Sequence, residues 1–91
     1  MILKRTEFLA RTHLDEETLE TWISEQWLVP VQNKSDETYT DADIARAALI
    51  RELAQDMGVN EAGIDVALHL LDQLHGLRRA VFEMRRPSST G

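Results

Sequence analysis

The sequence predicts an all-α chain made of a helix-turn-helix with a small wing, a third helix and a long C-terminal helix. Three observations predict it. Helix-start residues recur at Thr6, Asp15, Thr40 and Asn60, each followed by apolar residues at helical spacing. A single stretch around Pro30, from Leu28 to Tyr39, reads as short extended pieces about a polar turn. The last third of the chain keeps a helical apolar pattern until Pro87 ends it.

Ninety-one residues suffice for one domain and are too few for two. Apolar residues make up 43% and charged residues 29%, the proportions of a globular protein rather than a disordered one. No stretch approaches the roughly 18 uncharged apolar residues of a membrane span. The start, Met1-Ile2-Leu3-Lys4-Arg5, lacks the apolar core of a secretory signal. Cysteine is absent, which excludes disulfides and thiolate chemistry and fits a cytoplasmic setting.

The elements follow in order. Thr6 caps a short helix, Glu7 to Arg11, with Phe8 and Leu9 facing inward. Thr12 and His13 make a tight turn. Asp15 then caps a second helix whose first turn carries Glu16 and Glu17, where the helix dipole favours them. Leu19, Trp22 and Ile23 form its apolar stripe, and Trp22 and Trp27 are expected in the core. Leu28, Val29 and Val31 about Pro30, the polar run Gln32 to Glu37 and then Tyr39 read as a small hairpin, or wing. Thr40, backed by Asp41 and Asp43, opens a third helix through Ile44, Ala47, Leu49, Ile50, Leu53 and Met57, with Gly58 as its left-handed end.

The final helix starts after Asn60, its cap, and runs to about Arg86. Ala67, Leu70, Leu74, Leu77, Val81 and Met84 step by alternating threes and fours, the spacing of a coiled-coil seam, and are the candidate homodimer interface. The alternative is that this helix lies wholly on its own domain. Gly76 interrupts it, at about 1 kcal/mol relative to alanine. The predicted division is 1–58 for the helix-turn-helix, wing and third helix, 59–86 for the C-terminal helix, and 87–91 for a frayed tail.

Charge is distributed unevenly. Residues 7–72 hold fifteen carboxylates against Arg11, Lys34, Arg46 and Arg51, a balance of −11, while Lys4 and Arg5 and the arginines from Arg78 to Arg86 offset it at the ends. Such a body repels phosphates and attracts cationic protein surfaces, although a solvated acidic surface has the same composition. Glu16, Glu17, Glu20 and Glu25 form the first candidate partner-binding patch, and Glu52 with Asp56 a second. Carboxylates near a helix C-terminus oppose its dipole, which a basic partner would relieve.

Catalytic and cofactor chemistry lacks a signature. There is no glycine-rich elbow, phosphate loop or clustered Ser/His/Asp set. Asp65, His69 and Asp72 share one helix face, but three ligands on one helix make a poor metal site. The chain is therefore expected to act by binding, without enzyme activity, metal or cofactor.

The run from Thr6 to Arg11, Asp15 to Leu19, Trp27-Leu28-Val29-Pro30 and Tyr39-Thr40-Asp41-Ala42-Asp43-Ile44 resembles the N-terminal half of MerR-type regulators. That resemblance implies a winged helix-turn-helix. In the family the second helix carries a Thr-Leu-Arg-Tyr-Tyr-type run that touches DNA; here it reads Thr18-Leu19-Glu20-Thr21-Trp22. From Asp15 to Gln26 there are five carboxylates and no lysine or arginine, so this helix offers phosphates only like charge and guanine no donor. The wing contributes Lys34 beside Asp36 and Glu37.

The run Gly63-Ile64-Asp65-Val66-Ala67-Leu68-His69-Leu70-Leu71-Asp72, with Leu74, Leu77, Arg78 and Arg79 after it, resembles the chaperone-modulator (CbpM) family. The two resemblances together cover residues 6–85. They imply a dimeric, non-enzymatic inhibitor that binds the J-domain of a DnaJ-like co-chaperone of the CbpA type and prevents its stimulation of DnaK. Two other readings stay open: a small MerR-type transcription regulator reading DNA as a dimer, and an adaptor of the antitoxin or excisionase kind.

Overall fold

A computed structural model describes residues 1–33 and 36–85. The order is β1 (Ile2–Lys4), α1 (Arg5–Thr12), α2 (Glu16–Ser24), β2 (Val31–Asn33), β3 (Asp36–Thr40), α3 (Asp41–Arg51), a π-helical turn (Glu52–Asp56) and α4 (Glu61–Arg85).

The chain is mostly helical but not all-α. The expected hairpin forms from β2 and β3, and β1 joins it to give an antiparallel sheet in the order β1-β3-β2. Leu3 pairs with Tyr39, so the alternation of Ile2-Leu3-Lys4 sends Leu3 inward and leaves its neighbours in solvent. A hairpin alone is marginal in water, and the first strand gives β3 its second partner. Three residues are too few for sequence periodicity to declare a strand.

Helix ends follow local chemistry. The first helix starts at Arg5, earlier than the Thr6 cap predicts, because the Glu7 carboxylate accepts the backbone N–H of Lys4 at 3.0 Å. It also includes Thr12, whose hydroxyl donates back to the Phe8 carbonyl at 2.8 Å, and it ends on His13 at φ 60°. Asp15 caps α2 as expected, accepting from the Thr18 N–H at 2.7 Å. Asp43 accepts the Thr40 N–H at 2.9 Å to open α3. That helix is α-helical only to Arg51; the predicted continuation towards Met57 is the π-helical turn, after which Gly58 takes φ 66°. The Asn60 side chain accepts from the Gly63 N–H at 2.8 Å, the predicted cap of α4.

The core gathers Leu3, Phe8, Leu19, Trp22, Trp27, Leu28, Tyr39, Ala47 and Ile50, with Ile64 and Leu68 closing it from α4. Both tryptophans are buried, as expected. Phe8 and Tyr39 stack at 4.2 Å, tying α1 to the sheet. A Cβ on Gly63 would lie 2.6 Å from the Val59 side chain, so glycine allows α4 to start close against the preceding segment. Beyond Leu71, every described residue of α4 is exposed.

Gly76 lies in that exposed half with open space where a Cβ would sit. Gly76→Ala is therefore expected to raise stability by up to about 1 kcal/mol through helix propensity, measured by urea unfolding.

Candidate functional site

The predicted acidic patch on α2 divides in two. Glu16 and Glu20 lie one turn apart on the side facing α1, where Arg5 meets them both. The Arg5 Nε donates to Glu16 at 3.1 Å and one terminal nitrogen reaches the same carboxylate at 2.7 Å. That nitrogen also contacts Glu20, and the other donates to Glu37 of β3 at 2.8 Å. Three carboxylates thus share one guanidinium, leaving the cluster with excess negative charge.

Electrostatics follow this geometry. The Glu16 hydrogen bond, with those from Glu37 and Glu20, raises the Arg5 pKa above the ordinary arginine value, so Arg5 remains charged. The Tyr39 hydroxyl donates to Glu37 at 2.8 Å; this bond first, and Arg5 second, lower the Glu37 carboxyl below its ordinary 4.5. Burial, helped by Glu37, pushes the Tyr39 phenol up and keeps it neutral.

Glu17 and Glu25 are exposed, and neither has a cationic partner among the described residues. The outward side of α2 therefore presents Glu17 and, at the residue just past its end, Glu25, with no lysine or arginine within the helix. Lys34, the wing cation, lies outside the described residues. Among the described residues Arg5 is the one cation that pairs with this helix, and sequence reasoning missed it. Its signal was faint: an arginine at a helix start, two glutamates four apart, and a glutamate two residues before a buried tyrosine.

Glu52 and Asp56 lie on the π-helical turn and line a cleft that contains no α2 residue. They are not part of the α2 surface.

The predicted seam on α4 is mostly in solvent. Ala67 is half-buried, while Leu70 and Leu77 are 60% and 64% exposed and Met84 is 83% exposed; Leu74 and Val81 are also exposed. The helix packs on its own domain through a different side, by Ile64, Leu68 and Leu71. Arg46 clamps it there, donating to Asp72 at 2.7 and 3.2 Å and to the Trp27 carbonyl at 2.5 Å. The Arg46 bonds to Asp72 lower its carboxyl below the ordinary value, with smaller contributions from His75 and His69. Among the described residues no group of three His, Asp or Glu side chains is placed to hold a metal. Arg86 and the tail 87–91 lie outside the described residues. No helix among the described residues is long and apolar enough to cross a membrane.

This arrangement is a helix-turn-helix with a three-stranded wing and a helix passing beyond it. Comparison with known families matches residues 3–86 to the MerR HTH family regulatory proteins. The chain belongs to the MerR family. Comparison with curated proteins gave no match. Within the MerR family frame, α2 occupies the second position of the helix-turn-helix, and its outward side is acidic.

The Glu37 geometry sets an acid limit on stability. Its lowered pKa means that its contribution is present above the ordinary 4.5 and is lost as pH falls through the folded value. Glu37→Gln is expected to cost about 1–2 kcal/mol at neutral pH, as charged hydrogen bonds are lost. It should also flatten the fall in urea midpoint below pH 4.5. An unchanged acid limb would show that Glu37 carries little of it.

Proposed function

We propose that this MerR-family chain is a chaperone modulator: a cytoplasmic protein that binds the J-domain of a DnaJ-like co-chaperone of the CbpA type and blocks its stimulation of DnaK. It acts by occlusion and catalyses nothing. The observation that carries this reading is the outward side of α2, where Glu17 and Glu25 stand exposed and where, among the described residues, the arginine that reaches the helix is shared by the carboxylates of Glu16, Glu20 and Glu37. A helix so charged is repelled by a phosphate backbone and complements a J-domain's basic helix. Resemblance of the run from Gly63 to Asp72 to the chaperone-modulator family supports the same partner.

The family match favours a second reading, a dimeric transcription regulator contacting two DNA half-sites. Titration calorimetry separates the two. The purified chain and the J-domain of a CbpA-type protein are expected to bind one per protomer, more weakly as ionic strength rises. The double variant Glu17→Lys/Glu25→Lys should weaken binding by about tenfold or more, since each reversal places like charges face to face. Absence of heat, with a promoter-DNA gel shift that Lys34→Ala abolishes, would replace this reading with the second.

The chain also forms a homodimer in this proposal, through Ala67, Leu70, Leu74, Leu77, Val81 and Met84. The support is a seam of coiled-coil spacing left in solvent along a side that the chain's own core does not use. Leu77→Glu puts a charge at its centre. Light scattering coupled to size exclusion should find the native chain at twice its mass of 10.4 kDa and the variant at one. A native chain that stays monomeric at high concentration would remove the dimer.

A further inference from the structure

A cleft of about 290 Å3 opens where the end of α1 meets the junction of α3 with the π-helical turn. Its floor is small and apolar, formed by Ile44 and Ala47. Five ionisable side chains line it: the basic Arg11, His13 and Arg51 and the acidic Glu52 and Asp56.

None of these five makes an ion pair among the described residues; Arg11 reaches only the Met1 sulfur, at 4.0 Å. The other two arginines of the domain body behave differently, since Arg5 is bound by three carboxylates and Arg46 by Asp72. The helix dipole accounts for an arginine in the last turn of α1 and of α3. It does not account for two carboxylates lining the same cleft without closing onto those arginines. Unpaired charges of both signs lining one cavity are met together by a ligand that bears both charges.

The backbone around the cleft is also irregular. His13 takes φ 60°, which non-glycine residues rarely adopt. Glu52 and Asp56 sit on the π-helical turn, a form that is rare and concentrated at functional sites. The volume is at the small end of the roughly 300–1,000 Å3 of ligand pockets, which suits an occupant of about amino-acid size.

We propose that this cleft binds a small zwitterion of the α-amino acid class with a short branched apolar side chain. Arg11 and Arg51 hold its carboxylate, Glu52 and Asp56 its ammonium group, and the side chain covers Ile44 and Ala47. No other protein is involved, so the site stands or falls independently of the J-domain reading.

The test is a nitrogen–proton NMR titration of the full chain with L-leucine, with 4-methylpentanoate, which lacks the ammonium, and with 3-methylbutylamine, which lacks the carboxylate. Leucine is expected to give saturable shifts at the amides of Arg11, His13, Ala48 and Glu52, with affinity in the millimolar range of about 1 mM. Each analogue should bind about tenfold more weakly or worse, because one pair of charges is left unmet. Arg51→Gln and Glu52→Gln should each weaken leucine about tenfold while circular dichroism shows the fold intact. Arg11→Gln serves if Arg51→Gln fails to fold. Leucine without saturable shifts, analogues that match it, or folded variants that bind as the native chain does would each overturn the proposal.

Discussion

Tyr39 joins the wing to the helices from both ends of its side chain. Its ring, fully buried, stacks on Phe8 of α1, and its hydroxyl donates to Glu37, which accepts Arg5 in turn. Arg5 then holds Glu16 and Glu20 on α2. One continuous string of contacts therefore runs from β3 through α1 to the helix that carries the acidic surface. Burial of the two rings supplies most of the free energy, about 1.5–3 kcal/mol for each large apolar side chain. The polar string adds less and sets orientation, because a guanidinium donates to carboxylates only along its N–H directions.

That string also changes what the helix-turn-helix can recognise. In a MerR-family frame, α2 is where positive charge would be expected if it entered a groove. Here, among the described residues, the fold pairs a single arginine with it and surrounds that arginine with three carboxylates, so the local charge stays negative. A shared architecture leaves chemistry to the surface, and this surface is suited to cations.

The last helix shows a similar division of labour. Ile64, Leu68 and Leu71 serve the domain core, and Arg46 fixes the helix by Asp72 at the point where that contact ends. Beyond it, Leu74, Leu77, Val81, Phe82 and Met84 all remain in solvent. An apolar side this long is costly to leave wet, which is the physical ground of the dimer proposed above.

Much of this was legible in the residues alone. The caps at Asp15 and Asn60, the left-handed Gly58, the wing and the extent of α4 follow from interactions within a few positions, and so does the burial of both tryptophans beside helical apolar stripes. Strand β1 was not, since three residues become a strand only when β3 lies alongside. Nor was the state of each carboxylate. Arg5 meets partners 11, 15 and 32 positions away, and two unpaired arginines share a cleft with two unpaired acids. Amino-acid spacing dictates local hydrogen bonds and the count of charges. Which charges neutralise one another depends on distances across the packed molecule, and those exist only once the core has closed.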